Sequence, residues 1–267
     1  MCEPHYPGAV PAKPFRSVWA RERRETREQA LSREHIVRAA IDLLDAEGLE
    51  KLSMRRLGAR LSAGATSLYW YVESKDELLE LVMDEIYGQV EVPEGAHWRE
   101  AASAFAYGLR DVILRHPWLT GLIGVLPAVG PNALTVVDRL TAAFEAGGFT
   151  GADADHAVYA LIAYAHGAAI PEIALHAVLT ATGMDSAGYR SAIAPFVDRL
   201  TTRHPRLRER YRRCLAPGFD PVAARALAFD HGLAALLDGL EARLARRPPG
   251  LPEHRPPTAS RQPSGSA

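Results

Sequence analysis

Hydrogen-bonding side chains are concentrated in one short stretch of the chain, ATSLYWYVESK at residues 65–75. Small hydroxyl and methyl groups can approach the edge of a base, whereas phenol, indole, guanidinium and ammonium groups donate to phosphate oxygens. The pattern therefore favours recognition of an anionic polymer over bond-breaking chemistry. The candidate contact residues are Arg55, Ala65, Thr66, Ser67, Tyr69, Trp70, Tyr71 and Lys75.

Serine caps place these residues on short helices. Ser32 precedes an apolar pattern with a period of 3.6 residues that Gly48 ends, which predicts a helix over 33–47. Ser53 begins a second helix, over 54–61, which turns its apolar residues inward.

A tight serine–glycine turn then leads into a third helix over 65–71, in which Leu68 and Val72 face the core. Ser74 and Glu77 form a capping box that begins a fourth helix. Two short helices joined by a turn of three to four residues are the helix-turn-helix plan. The third helix is too short to be stable alone, and we expect its polar side to enter a major groove.

Tyr69, Trp70 and Tyr71 could instead form a core aromatic cluster, but three consecutive residues of a helix cannot all face one core. Charge supports a surface role, because residues 51–72 hold four basic and no acidic side chains, whereas residues 91–196 hold five basic and ten acidic ones. Four basic residues alone are typical of a solvated helix face. Together with the helix-turn-helix plan, they favour double-stranded DNA as the partner.

The stretch Leu52–Ile86, LSMRRLGARLSAGATSLYWYVESKDELLELVMDEI, closely resembles the DNA-binding domain of the TetR family of transcriptional repressors. The resemblance rests on an L-Y-W-x-V core after a Ser/Gly turn and on the capped K-x-E-L-L helix that follows. It implies a homodimer that binds a palindromic DNA operator and is released by a small-molecule effector. Tyr71 stands where family members very often have His, and Ala63 where the turn usually has a β-branched residue.

The composition predicts a folded all-α protein. The 267 residues are 48% hydrophobic with a formal net charge of −1, which excludes a disordered or collagen-like chain. Alternating Val/Ile/Thr runs that would predict strands are missing. Cys2 and Cys214 are far apart in sequence and form neither a disulfide framework nor a metal clip, so we expect a reducing cytoplasm. Met1–Pro14 lacks the apolar stretch of a signal peptide.

Ten of the 19 prolines fall in the two ends, and the other nine are expected where helices begin or end, Pro171 and Pro195 among them. Trp19–Glu34 interleaves arginines and glutamates, so it is either an arm that reaches the minor groove or, as the glutamates favour, a solvated helical extension. The predicted regions are an extended or partly helical extension (1–31), a helix-turn-helix domain (32–90), a helical effector-binding and dimerisation domain (93–246) and a disordered tail (247–267).

The larger domain is expected to contain helices over 98–116, 133–146, 152–182 and 221–244. The last two are long, with small or leucine faces, as a four-helix dimer interface requires. The predicted interface residues are Leu233, Leu237, Leu240 and Leu244. Arg199–Arg213 holds seven arginines, and we predict a solvated amphipathic segment or loop rather than a second DNA site, because no helix-turn-helix accompanies it.

Ala157–Thr182 is long enough to cross a bilayer. It contains polar residues that would be costly in lipid, and so we predict a buried helix of a soluble domain rather than a membrane span. These residues are His166, Pro171, Glu172 and His176.

The larger domain contains aromatic residues with few polar groups among them. This composition predicts an effector pocket between the expected helices over 98–116 and 152–182, although each aromatic could simply fill the core. The pocket residues are Phe105, Tyr107, His116, Trp118, Phe144, Tyr159, His166 and Glu172. The tetracycline repressors that name the family hold a magnesium-chelated drug through a histidine in the loop after helix five. Here that loop reads GLIGVLP, with neither histidine nor carboxylate, so we predict an apolar or aromatic effector bound without metal.

Catalytic motifs are missing: the sequence has no GxSxG, P-loop, HExxH or strand-linked GxGxxG pattern. The histidines of the larger domain show no i, i+4 pairing, and we expect neither a metal nor another cofactor. The alternative function is a helical small-molecule-binding protein or enzyme whose N-terminal unit is only structural. It leaves the exposed basic and hydroxyl surface of 65–75 unexplained.

Overall fold

The computed structural model describes residues 31–246, and in that range the regular elements are helices, with one isolated bridge between Ile123 and Leu126. The all-α class is confirmed. The predicted extension up to residue 30 and the tail from 247 lie outside the described residues. The α-helices are α1 (Arg33–Glu47), α2 (Met54–Arg60), α3 (Ala65–Leu68), α4 (Lys75–Tyr87), α5 (Trp98–Arg115), α6 (Pro131–Ala146), α7 (Ala152–Thr182), α8 (Ser186–Leu200), α9 (Pro205–Leu215) and α10 (Pro221–Ala245), and 3-10 helices span Leu49–Lys51 and Pro117–Gly121.

Contacts divide the chain into two compact units. Among the described residues, the reader unit consists of residues 31–90 together with Arg115–Val136, and the body unit consists of Glu91–Leu114 and residues 137–246. We predicted the larger domain over residues 93–246. Within that range, Arg115–Val136 has its contacts in the reader unit.

Capping explains the bounds of α1. The Ser32 hydroxyl accepts a hydrogen bond from the His35 N–H at 3.1 Å, and Gly48, at φ 80°, donates its N–H to the Leu44 carbonyl at 2.8 Å. The apolar positions predicted to face inward, Ile36, Ala40, Leu43 and Leu44, are buried. Sequence and structure therefore agree on this helix from cap to cap.

The third helix is shorter than predicted, since α3 ends at Leu68 instead of continuing to residue 71. The N–H groups of Tyr71 and Val72 both donate to the Leu68 carbonyl, each at 2.9 Å. One carbonyl thus accepts an i+3 and an i+4 bond, which tightens the backbone into turns over residues 69–71. α2 likewise ends at Arg60, one residue early.

An aromatic cluster lies in the core of the body unit. The Trp98 indole, at the start of α5, stacks with the Phe144 ring at 5.7 Å and meets the edge of the Phe149 ring at 5.2 Å. A Cβ at Gly147 would overlap the indole, so the close approach requires glycine. All three rings are buried. Their contacts join α5 to the end of α6.

Two prolines lie inside helices, contrary to the expectation that each marks a helix end. α7 continues through Pro171 and α8 through Pro195. Both prolines are exposed. The carbonyls that lose a donor at these points can be solvated, which is one of the ways a helix tolerates proline.

α7 has the predicted bounds but not the predicted burial. By length and composition this helix could cross a membrane. Of its most apolar 18-residue stretch, however, only 22% is buried within the protein. Its C-terminal half is largely exposed, and so the prediction of a buried helix is wrong for that half. The arginine-rich stretch predicted as a solvated segment or loop forms the end of α8 and most of α9, an exposed helix paired with α8.

Candidate nucleic-acid interface

Residues 65–71, which we call the reading segment, project their polar side chains away from the core. Leu68 and the adjacent Val72 are fully buried and anchor the segment, as predicted. Thr66 and Ser67 are exposed. The aromatic side chains that follow are also at the surface, with Tyr69 48% and Trp70 85% exposed. An indole that remains so exposed gains little from folding and is accessible to a partner.

A glycine brings α2 close to the turn before α3. A Cβ at Gly58 would lie 2.8 Å from the Ala63 carbonyl oxygen and 3.1 Å from the Ala65 nitrogen. The turn itself passes through Ser62, a non-glycine residue at φ 52°. Gly58 was not among the predicted site residues, because a glycine inside a helix pattern does not show in sequence what it approaches.

A second group that sequence reasoning missed holds the end of the reading segment. The Arg33 guanidinium, on α1, donates to the Tyr71 carbonyl from Nε at 3.3 Å and from Nη2 at 3.2 Å. It also lies 3.7 Å from Oε1 of Glu77, a buried residue on α4. The other oxygen of Glu77 accepts the Glu73 N–H at 3.0 Å. Arg33 of α1 and Glu77 of α4 thus form hydrogen bonds with the backbone where the chain leaves the reading segment.

Fewer positive charges are available than the sequence suggests. Arg56 forms an ion pair with Glu47, and Arg60 lies 3.7 Å from Asp42, so two of the four basic side chains are partly neutralised by α1. Arg55 is exposed and has no ion-pair partner within residues 31–246. Lys75 is half-buried in the first turn of α4, whose N-cap Ser74 accepts the Glu77 N–H at 3.0 Å.

These features match known proteins. The family model described as "Bacterial regulatory proteins, tetR family" matches residues 36–82, and the one described as "Tetracyclin repressor-like, C-terminal domain" matches residues 92–244. The chain belongs to the TetR family of transcriptional regulators. Its helix-turn-helix is therefore the DNA-binding element of a regulator, and the resemblance seen in the sequence is confirmed.

Individual relatives share nearly the whole chain. An HTH-type transcriptional regulator of Saccharopolyspora erythraea is 38% identical over 230 residues, covering 85% of this chain and 92% of the relative. The HTH-type transcriptional repressor DrrR1 of Streptomyces coeruleorubidus is 32% identical over 243 residues, covering 88% and 87%. Among solved structures, the TetR family protein ActR of Streptomyces coelicolor in complex with actinorhodin has a TM-score of 0.65 at 28% identity, covering 81% of this chain and 99% of that one.

The residues predicted for an effector pocket are divided between the two compact units. His116 and Trp118 lie in the reader unit, and the other six lie in the body unit. Of these six, Phe105 and Phe144 are buried in the core, whereas Tyr159 is 74% exposed. Composition could not distinguish these environments, because an aromatic side chain is found equally in cores, pockets and interfaces.

A polar network in the body unit joins α5, α7 and α10. Arg110 donates to the Glu172 carboxylate from Nη2 at 2.7 Å and lies over the Phe229 ring at 4.9 Å. The Tyr107 hydroxyl donates to Asp230 at 2.7 Å, which raises the pKa of the phenol together with its burial. The Tyr164 hydroxyl donates to the Phe229 carbonyl at 2.6 Å.

His166, on the same stretch of α7, is different. Its Nε2 atom is buried and has no hydrogen-bond partner within the described residues, and burial lowers the pKa of the ring. Among residues 31–246 no group of three or more His, Cys, Asp or Glu side chains could hold a metal ion.

Two of the four leucines predicted for a dimer interface, Leu233 and Leu237, lie in the core. Leu233 and Leu237 are each 3% exposed, because α10 turns them towards its own body unit, where it packs on α7. Leu240 and Leu244 are half-buried. Leu233 and Leu237 therefore cannot form the surface that a second copy contacts. The periodic leucine stripe indicated a buried face, and sequence could not show that the protomer itself buries it.

Proposed function

We propose that this protein is a homodimeric transcriptional repressor that reads a palindromic operator in the major groove with residues 65–71. The observation that carries the proposal is the exposure of the reading segment, in particular the 85% exposure of Trp70, on a backbone anchored by buried neighbours. Thr66 and Ser67 are placed to approach base edges, and Tyr69 and Trp70 to donate to phosphates. Arg55, which has no ion-pair partner within residues 31–246, supplies a positive charge, and Tyr71 and Lys75 extend the contact at the end of the reading segment.

Small residues and isolated apolar residues on the exposed faces of α7 and α10 favour dimerisation through these helices. Apolar helix faces of this length are normally covered, and a two-fold axis would cover both with their copies. The proposed interface uses the face of α10 opposite to the predicted leucines, because Leu233 and Leu237 are buried within the protomer. The exposed residues are Tyr159, Ala163, Ile170 and Ala174 on α7, and Leu227, Ala228, Ala234 and Ala235 on α10.

The effector, in this proposal, is a small apolar or aromatic compound bound in the body unit. The similarity to ActR, which was solved with actinorhodin, supports this class of ligand. His166 is our candidate polar contact, since its buried Nε2 lacks a partner within the described part of the chain. The similarity to DrrR1 supports repression as the direction of control. A regulator that binds DNA works in the cytoplasm in this proposal, and we assign it no catalytic activity.

A salt-dependent gel-retardation assay on the DNA upstream of the protein's own gene tests this function. Specific retardation should survive an excess of unrelated DNA and weaken steeply between about 50 and 200 mM salt, as phosphate contacts are lost. The double variant Thr66→Ala/Trp70→Ala should lose specific retardation while keeping the wild-type melting temperature. Retardation by the wild type no stronger than on unrelated DNA would contradict the proposal.

A further inference from the structure

A cleft of about 230 Å³ lies between α8 and α9, in the arginine-rich part of the chain to which the proposed function gives no role. We propose that this cleft is a second ligand site, which binds a small organic anion made of a carboxylate and a short apolar or aromatic group. It contains no residue of α7, which carries the proposed effector contact His166. The lining residues are Ala194, Val197, Asp198 and Thr201 of α8 and Arg208, Tyr211, Arg212 and Leu215 of α9.

The pairing of α8 with α9 leaves this space open. The two helices are joined by a loop of four residues, 201–204, and therefore run antiparallel as a helical hairpin. Neither helix contains a buried residue. Closely packed helices interdigitate their side chains, and facing surfaces that are not filled lack the corresponding dispersion contacts. A ligand of the right size can supply those contacts.

The middle of the cleft is apolar. Ala194, Val197 and Leu215 are half-buried along it, and Tyr211 adds an aromatic ring that is 41% exposed. Small-molecule sites typically combine such a lining with a few placed polar groups, in volumes of about 300–1,000 Å³ for drug-sized ligands. Because this cleft is smaller, it favours a ligand with only a few apolar carbon atoms.

The charges of the lining leave one guanidinium available. Arg208 donates to both oxygens of Asp198, from Nε at 2.8 Å and from Nη2 at 2.8 Å, so these two charges neutralise each other. Arg212 lies one helical turn beyond Arg208 and has no ion-pair partner among residues 31–246. A guanidinium fork matches a carboxylate in shape and charge. The cleft is therefore complementary to a monoanion.

The hydroxyl groups of the lining have different roles. Thr201 is 6% exposed and donates its hydroxyl to the Val197 carbonyl at 2.6 Å, so its proton is not available to a ligand. The Tyr211 hydroxyl forms no hydrogen bond within the described range and can donate to the same carboxylate as Arg212. Hydrogen bonds to an ionised acceptor are about twice as strong as neutral ones, which favours the anion over a neutral ligand of the same shape.

Other arginines of α9 surround the cleft without lining it. Arg206, Arg210 and Arg213 are exposed and have no ion-pair partner among the described residues. Their combined field raises the local concentration of anions, but it does not distinguish one anion from another. Selectivity for an anion with an apolar group must come from the cleft itself.

Benzoate is the probe for this site, and benzamide is its neutral comparison. Full-length protein with ¹³C-labelled methyl groups is titrated with each compound and observed by NMR. We expect saturable benzoate binding with a dissociation constant of about 1 mM for so small a ligand, with nuclear Overhauser effects from its ring to the methyl groups of Val197 and Leu215. Benzamide should bind at least tenfold more weakly. Binding that does not saturate, equal binding of benzamide, or contacts to other methyl groups alone would overturn the proposal.

Neighbouring arginines provide a matched pair of variants. Arg212→Gln should weaken benzoate binding about tenfold, because the free guanidinium of the cleft is lost. Arg213→Gln removes the same charge from the next position, outside the cleft, and should leave the affinity unchanged. Equal losses in the two variants would mean that benzoate is an adventitious ion only, attracted by the arginines of α9, and would overturn the proposal.

Ala194→Leu tests the shape of the cleft without changing its charge. The larger side chain should occupy the apolar part and weaken benzoate binding at least tenfold. Ala192→Leu is the control, since Ala192 is exposed on the same helix and does not line the cleft. The methyl resonances of Leu161, buried in α7, report whether the body unit is folded in each variant. Wild-type affinity in a folded Ala194→Leu protein would overturn the proposal, and because no DNA is used, neither result depends on the proposed DNA-reading function.

Discussion

The guanidinium of Arg33 and the backbone carbonyl of Tyr71, 38 positions apart in sequence, are joined by two hydrogen bonds of 3.2 and 3.3 Å. The acceptor is the last residue of the reading segment, and the donor is the first residue of α1. The end of the reading segment is thus held by a residue of α1, outside the two helices that flank the turn. A bidentate guanidinium contact constrains direction as well as distance.

Loss of this contact should weaken DNA binding more than it weakens the fold. For Arg33→Met we expect about a tenfold loss of operator affinity, equivalent to about 1.4 kcal/mol, because the end of the reading segment is no longer held. Fluorescence anisotropy with labelled operator measures it. Arg38→Met is the control, since Arg38 is exposed on the same helix and has no ion-pair partner among the described residues. Equal losses in the two variants would show that only net charge matters.

The two tryptophans Trp70 and Trp98 should respond in opposite ways to substitution by alanine. Trp70 is 85% exposed, so Trp70→Ala should change the free energy of unfolding by less than about 0.5 kcal/mol. It should weaken binding to all DNA sequences alike if the indole contacts phosphate. Trp98 is 3% exposed in the aromatic cluster, and Trp98→Ala should cost about 3–5 kcal/mol of unfolding free energy. Urea denaturation and gel retardation separate the effects, and a large stability loss for Trp70→Ala would place that indole in a core.

Sequence reasoning predicted α1 and the capping box of α4 well because both depend on local signals. The Ser32 cap, the Gly48 terminus and the Ser74–Glu77 box are each readable within a few residues, and each was found. The buried anchors Leu68 and Val72 followed from periodicity in the same way.

Contacts between distant residues could not be predicted. The sequence around Arg33 gives no sign that its guanidinium will donate to the Tyr71 carbonyl. The approach of Gly58 to the Ala63 carbonyl depends on how two helices pack. The same limit applies to Leu237, whose stripe showed a buried face without showing which surface covers it. Arg115–Val136 follows the predicted domain boundary in sequence, and nothing in that order shows that its contacts lie in the reader unit.

Substitutions on opposite faces of α10 distinguish core from interface. Leu227 is 68% exposed, and Leu227→Glu should yield monomers with nearly unchanged stability if this face contacts a second copy. Leu237 is buried, so Leu237→Ala should lower the unfolding free energy by about 2–5 kcal/mol through the cavity it leaves. Light scattering gives the mass, and urea denaturation gives the stability. A Leu227→Glu protein that remains a dimer would move the interface away from this face.

The buried ring of His166 predicts a loss of stability on acidification. Burial lowers its pKa in the folded protein below the usual value, so below about pH 6.5 the unfolded chain binds a proton that the folded ring resists. The unfolded state then holds more protons, and the free energy of unfolding falls as the pH decreases. His166→Gln has no such proton and should show a shallower decline between pH 7.5 and 5.5, measured by urea denaturation.

The control for His166→Gln is a variant that loses stability without losing a titratable group. Leu161 is fully buried on the same helix, and Leu161→Ala should lower the unfolding free energy at both pH values by a similar amount, because the cavity it leaves does not titrate. The wild type and Leu161→Ala should therefore share one pH slope, and His166→Gln should have a smaller one. Identical slopes in all three proteins would mean that the folded ring accepts its proton as readily as the unfolded chain does. His166 would then no longer qualify as the neutral polar contact that the proposed effector requires.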